Sequence, residues 1–343
     1  MPKLSIICPV YNTSKYIDRF LWSIINQTFK DFEIVFVYDK SSDDSLDKLI
    51  AFNKTYNGVF PISIIKNENK NGAGFAKDLG YKNCDKSSTY VIFLDSDDYF
   101  ENDYFEKLIH KAESSNSDIT CIGYYRVNEN TGSLLCTEMV HNPDLCNIDQ
   151  PSFPLFLINT AVWNKVFKRE LVEKCSFGLV SHAEDFYFLL HTIINAQSIS
   201  FINEPKYTYL IHSGSLINTM SLEKYYDTLE SFLEFKKYNE NKRQFDLVSG
   251  FMFLRIGLGT TLRVCQSEPK EKKHIICSTK KYLKQNFNIF GKNKMLSLHF
   301  LLKAGKKGFA IWLLKVLYKI NLFGIAANYY ISKSKKDKKE NRW

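Results

Sequence analysis

The run Val91-Ile92-Phe93-Leu94-Asp95-Ser96-Asp97-Asp98 decides how the rest of this 343-residue chain is read. Four apolar residues in succession predict a strand buried on both faces, as in a parallel sheet. That strand runs straight into three carboxylates. In an open α/β sheet, ligands sit just outside the carboxyl ends of the strands. A carboxylate pair there, with no thiol or imidazole beside it, suits a hard divalent cation that also touches a diphosphate. Asp is common in turns and at helix N-caps as well, so the run needs its neighbours to make a site. A calcium-binding loop is excluded, because Tyr99 and Phe100 occupy the positions where such a loop requires a ligand and a glycine.

Upstream, residues 3–10 form a candidate first strand. Residues 14–27 follow with helical spacing, which puts Ile17, Leu21, Ile24 and Ile25 on one face. Strands are expected over 32–37 and 62–66, with a helix over 43–53 between them. Residues 71–80 read as a glycine-bearing turn entering a helix before the strand at 90–94. This alternation of strand and helix implies a parallel, Rossmann-like half-fold. Downstream, a helix over 104–114 and a strand over 119–127 are expected. Residues 128–155 are polar and carry Pro143, Pro151 and Pro154, which predicts a loop excursion over the site. From residue 222 the pattern is mostly helical to 332.

The composition, 45% hydrophobic and 24% charged, is that of a globular chain able to build a full core. Eight scattered cysteines show no close pair and no zinc spacing. With no cleavable-signal pattern at the start, they favour free thiols in a reducing cytoplasm. The net charge of +9 is unevenly spread. From Pro269 onward 19 Lys/Arg face 3 Asp/Glu, a balance of +16, while the remainder holds 27 and 34, or −7. An acidic body joined to a basic end points to two different tasks.

Several ordered motifs within residues 3–218 together resemble the family 2 glycosyltransferases of the GT-A fold, in particular the bacterial enzymes that build surface and capsular polysaccharides. They are Ser5-Ile6-Ile7-Cys8-Pro9-Val10-Tyr11-Asn12, Ser23-Ile24-Ile25-Asn26-Gln27-Thr28, Val37-Tyr38-Asp39-Lys40-Ser41, Asn71-Gly72 through Lys77-Asp78-Leu79-Gly80, the Asp95–Asp98 run, Trp163-Asn164-Lys165 and Glu184-Asp185. The resemblance implies an α/β fold: a GT-A, Rossmann-like, mostly parallel sheet flanked by helices, with a C-terminal helical extension. The expected division is a catalytic domain over 1–218, with a nucleotide-binding half at 1–98 and an acceptor-side half at 99–218, and a helical basic region over 219–343.

The resemblance also implies roles. Pro9, Val10, Tyr11 and Asn12 would hold the nucleoside, with Tyr11 placed to stack on a base. Asp39 would accept the imide N–H of uracil, which prefers uracil to cytosine. Tyr38 and Lys40 depart from the family, which usually has Asp and Gly there. Gly72 would let the backbone approach the ligand. Lys77 stands where the family usually has Arg, keeping the charge but not the bidentate fork. Asp95, Ser96 and Asp97 would meet the nucleotide sugar, with Asp97 and Asp95 as ligands of a Mn²⁺ or Mg²⁺ ion. Asp185, supported by Glu184, would be the general base, since an acceptor hydroxyl is too weak an acid to attack unaided. Both acids would also complement a helix dipole at that position. Trp163, Asn164, Lys165, His182 and His212 are expected on the acceptor or diphosphate side.

No apolar run reaches the roughly 18 to 20 residues that span a bilayer. From 309 to 320, Lys315 and Lys319 share one helical strip, with Phe309, Trp312, Leu313, Val316 and Ile320 opposite. Such a helix suits a membrane interface, and it also suits packing on the catalytic body or an oligomer contact. Nucleic-acid binding fits less well, because the aromatics lie in an apolar face. The resulting expectation is an inverting transfer from a UDP-sugar to a hydroxyl of a glycan or lipid-linked acceptor, at the inner face of the plasma membrane. A sugar nucleotidyltransferase and a non-catalytic sugar-nucleotide-binding protein are the alternatives.

Overall fold

The computed structural model describes residues 1–67, 72–148, 158–178, 183–212, 221–291, 293–303 and 305–337, with side chains as far as 332. The first half follows the sequence pattern closely: β1 (Leu4–Val10), α1 (Ser14–Ile25), β2 (Phe32–Asp39), α2 (Ser45–Tyr56), β3 (Ile62–Asn67), α3 (Ala73–Asn83) and β4 (Tyr90–Phe93). Then come β5 (Tyr99–Phe100), α4 (Tyr104–Ser115), β6 (Ile119–Asn128), β7 (Leu134–Glu138), β8 (Leu145–Asn147), β9 (Lys165–Lys168), α5 (Glu184–Asn195) and β10 (Ser198–Ile211). Among the described residues these strands form one sheet in the order β3-β2-β1-β4-β9-β6-β10-β5, with β7 beside β6 and β8 beside β10.

The long ladders, β3-β2-β1-β4 and β6-β10, are parallel. The antiparallel pairings of β9, β5, β7 and β8 are short. Every residue of β2 and β4 is buried, which explains the apolar runs over 34–38 and 90–93. Helix α3 lies close on this sheet, because a Cβ on Gly80 would stand 2.5 Å from Ile7 Cγ2 and 3.0 Å from Val37 Cγ2. The polar stretch after 128 departs from the expected loop: β7 and β8 add to the sheet, leaving residues 129–133 and 139–144 to connect them. Residues 149–157, the rest of that excursion, lie outside the described set.

One aromatic cluster sets the geometry that matters for chemistry. Phe93 from β4 packs on Phe177 at 4.9 Å and on Phe188 of α5 at 5.3 Å, while Phe177 and Phe188 stack at 4.1 Å. All three rings are buried. Truncating one such ring costs about 3–5 kcal/mol. The cluster fixes the first turn of α5 beside the carboxyl end of β4.

The described residues before 213 form one compact unit and those from 221 form another. The second is helical: α6 (Leu222–Asn239), α7 (Phe245–Ser267), α8 (Lys272–Phe287), α9 (Leu298–Leu302), α10 (Gly305–Lys319) and α11 (Phe323–Asp337). One sequence expectation fails here, in α10. By length and composition α7 is apolar enough to cross a bilayer. Arg255 and Arg263 interrupt its apolar run, and 83% of its most apolar stretch is buried, so the apolar content builds the core of the unit. In α10 the buried strip is Gly308, Ile311 and Tyr318, with Lys315 half-buried on the same side and donating to the Leu296 carbonyl at 2.9 Å. Phe309, Leu313 and Ile320 face solvent.

Candidate active site

Strand β1 has β2 on one side and β4 on the other, so the chain runs in opposite directions across the sheet from this point. The crevice at such a switch, outside the carboxyl ends of the strands, is where α/β sheets bind ligands. Pro9–Asn12 leave β1 there and Asp95–Asp98 leave β4. Ser96 ties the two segments, its Oγ donating to the Pro9 carbonyl at 3.0 Å. Asn12 takes a left-handed conformation, φ 51°, which Asn tolerates. Its backbone N–H donates to Ser41 Oγ at 3.0 Å, and its Oδ1 accepts from the Ser42 N–H at 2.8 Å, which fastens the loop after β1 to the loop after β2. Val10 is buried and Tyr11 is half-exposed. Asp39 is buried at the end of β2 and accepts from Asn67 Nδ2 at 2.6 Å. The Tyr38 hydroxyl accepts from the Ser41 N–H at 3.0 Å, so the unusual residue at 38 holds the turn that follows Asp39.

On the other side of the crevice, Gly72 caps α3 with φ 88°, a conformation side chains resist. One turn further, Lys77 is 1% exposed. Its Nζ lies 2.7 Å from Asp185 Oδ1 and 3.6 Å from Asp95 Oδ1. The second oxygen of Asp185 accepts from the Val162 N–H at 3.3 Å. Asp95, Asp97 and Asp98 each offer an oxygen within 4.8 Å of the others. Asp98 is already committed, accepting from the Tyr207 hydroxyl and the Leu210 N–H at 2.8 Å each. Asp97 Oδ2 is 2.9 Å from His212 Nε2, and the His212 ring rests 4.9 Å from that of Tyr16. Lys77 therefore links the Asp95–Asp97 end of the site to Asp185.

The electrostatics follow from burial. Burial pushes the Asp95 carboxyl up; Lys77 opposes this, and Asp185 and Asp97 add to it. Burial and then Asp185 raise Glu184, again against Lys77. Burial raises Asp98 well above the carboxylate range. Burial disfavours the Lys77 charge, but Asp185, Asp95 and Glu184 outweigh it and hold the ammonium charged. His212 is raised by its hydrogen bond to Asp97, against the effect of burial. Carboxylates outnumber cations in this space, and their mutual repulsion adds to the larger effect of burial. Hard oxygen donors beside one imidazole fit a divalent cation of the Mg²⁺ or Mn²⁺ kind.

Two expectations about neighbouring residues change. Asn164 and Lys165 are fully buried behind the cleft. Lys165 Nζ donates to the Ala161 carbonyl at 2.6 Å and Asn164 Nδ2 to the Ile122 carbonyl at 2.8 Å, so they brace the loop whose Val162 N–H meets Asp185. Trp163 is a core ring, stacked on Tyr207 at 4.5 Å and edge-on to Tyr124 at 4.7 Å. His182 and Asn71 lie outside the described residues. Asn67, Tyr207 and the pair in which the Tyr16 hydroxyl donates to Glu129 Oε1 at 2.9 Å escaped the sequence reading; each lies far along the chain from its partner.

An α/β sheet with an acidic cluster at its switch point is the arrangement expected of a GT-A glycosyltransferase. The model of glycosyl transferase family 2 matches residues 5–175. The putative glycosyltransferase EpsH of Bacillus subtilis (strain 168) is 30% identical over 263 residues, covering 71% of this chain and 73% of that protein. The glycosyltransferase GlyA of Streptococcus pneumoniae serotype 4 is 31% identical over 227 residues, or 62% of this chain; the match spans 31% of that longer protein. Among solved structures, Staphylococcus aureus TarS 1-349 in complex with UDP-GlcNAc superposes with a TM-score of 0.68 at 20% identity, covering 99% of this chain and 93% of that one. The chain belongs to glycosyl transferase family 2.

Proposed function

We propose that this glycosyltransferase moves a hexosyl or N-acetylhexosaminyl group from a UDP-sugar to a hydroxyl of a glycan in bacterial surface polysaccharide synthesis, with inversion and with a Mn²⁺ or Mg²⁺ ion. The observation that carries the reading is the contact chain Asp185–Lys77–Asp95 beside Asp97 and His212. It brings a candidate base and a candidate diphosphate site into one cleft. The uridine reading is supported by Asp39, held by Asn67 with its carboxylate at the end of β2, and by the half-exposed Tyr11 ring. The UDP-GlcNAc complex of the TarS fold supports the donor class by likeness.

In this reading Asp97 and Asp95 hold the ion, with His212 beside them. An ion held there would supply charge neutralisation for the departing UDP, which is leaving-group stabilisation. Asp185 takes the acceptor proton as the acceptor oxygen bonds to the anomeric carbon. The bond from that carbon to the diphosphate oxygen breaks, and its electron pair leaves with UDP. Lys77 couples the two ends. A diphosphate beside Asp95 competes with Asp185 for the ammonium, and a carboxylate relieved of its ammonium is the stronger base.

The test is a panel of UDP-sugars, with GDP-mannose as control, scored by thermal shift and by nucleotide release with Mn²⁺ or with EDTA. UDP-sugars that bind and turn over only with metal, giving product of inverted anomeric configuration, are the expected result. Turnover indifferent to EDTA, or stabilisation by GDP-mannose alone, would refute it.

A further inference from the structure

Helix α10 is apolar on two sides. Its inward strip, Gly308, Ile311 and Tyr318, packs into the second unit. On the opposite side Phe309, Leu313 and Ile320 are 47%, 43% and 53% exposed, and Phe309 stacks on Trp312 at 5.9 Å. At 100° per residue these three outward positions lie within one narrow stripe, with Lys306 at its edge, Lys319 about a quarter-turn away and Lys307 on the far side of the helix. Helix α11 repeats the arrangement: Phe323 and Ala327 are buried, while Ile325 and Tyr329 are 65% and 67% exposed. Exposed apolar stripes of this size mark a surface that something covers.

Charge selects the occupant. Between Glu271 and Asp337 the sequence carries 15 Lys and no acidic residue. Two copies of so basic a face repel each other, so a second copy of this chain is disfavoured. A polyanion without an apolar layer, such as a nucleic acid, would leave Phe309, Leu313, Ile325 and Tyr329 wet. An anionic phospholipid surface satisfies both features, because apolar side chains enter the acyl boundary while flanking lysines meet the headgroups.

We propose that α10 and α11 form an interfacial docking surface for an anionic phospholipid bilayer, with Phe309, Leu313 and Ile320 as the inserting stripe. The proposal does not depend on which donor the enzyme uses. Its anchor is reversible and salt-sensitive, since each lysine near an anionic surface changes affinity about fivefold.

The test is co-sedimentation of the full chain with vesicles of phosphatidylcholine alone or mixed with phosphatidylglycerol. Binding is expected only to the anionic vesicles. Lys306→Gln should weaken it by about fivefold. Phe309→Ser with Leu313→Ser should remove the binding that survives high salt, with the melting temperature of both variants unchanged. Equal binding to neutral vesicles, or none to either, overturns the proposal. So does a concentration-dependent dimer abolished by Phe309→Ser and Leu313→Ser, or tighter binding to single-stranded DNA than to vesicles.

Discussion

Lysine serves opposite ends in the two units. Lys77 is almost wholly buried and touches two carboxylates, whereas Lys306 and Lys307 are exposed in a stretch without acids. A buried charge is tolerable only when partners and geometry compensate its lost hydration. Exposed charges escape that penalty, act over about 10 Å and are screened by salt. The first kind fixes atoms for chemistry; the second kind suits long-range attraction to a large, oppositely charged surface, as the docking proposal requires.

The largest expected effect falls on the buried side. Asp97→Asn should abolish metal-stimulated turnover, a loss of about a thousandfold, since a bound cation supplies several kcal/mol of charge stabilisation. Nucleotide release measured against Mn²⁺ concentration checks it, and an unchanged metal response would move the ion site elsewhere.

Lys77→Met should destabilise the fold by about 3–5 kcal/mol at neutral pH, because it leaves buried acids uncompensated. The sign follows from the shift. The folded-state value of Lys77 is raised, so its contribution is complete below the ordinary 10.5 and is lost only as pH climbs through the raised value. The defect should shrink toward acid pH as Asp95 and Glu184 take up protons. Urea midpoints of Lys77→Met and Lys77→Arg across pH decide this, with Arg expected to retain most of the stability.

A third, smaller effect concerns His191 on α5, which burial pushes down to about 4 from the ordinary 6.5. A depressed value means stability present above pH 6.5 and lost as pH falls toward 4, about 3 kcal/mol at 1.36 kcal/mol per unit. His191→Gln should flatten that limb of the stability curve.

The smallest effect belongs to the exposed side. Lys306→Gln with Lys307→Gln should change unfolding free energy by no more than about 0.5 kcal/mol. A larger loss would show that these lysines do structural work, and the contrast between the units would collapse.

What the sequence made legible follows the same physics. Strands β1, β2 and β4 announce themselves because burial on both faces leaves continuous apolar runs. Strand β10 hides because Asn203, Glu204, Pro205 and Lys206 break its pattern at register shifts against β6. Strand β7 hides because it is an edge, with Leu134 and Leu135 exposed. The motifs brought Asp95, Asp97, Lys77 and Asp185 forward, and the structure places them side by side. They were silent on Asn67 and Tyr207, whose hydrogen bonds span 28 and 109 residues. Trp163, Asn164 and Lys165 drew notice as a motif, but their place behind the cleft is a matter of packing that spacing does not encode. A helical wheel likewise put Lys315 on the outside, because α10 has two apolar sides and the sequence does not say which is covered.

The central claim is that Asp185 acts as the base in the cleft where Asp97 and Asp95 grip the donor. The most direct measurement is steady-state transfer by Asp185→Asn, paired with UDP affinity and melting temperature on the same preparation. A drop in kcat of about 10²–10⁴-fold is expected, with UDP still bound and the fold intact. Turnover close to that of the unaltered enzyme would contradict it.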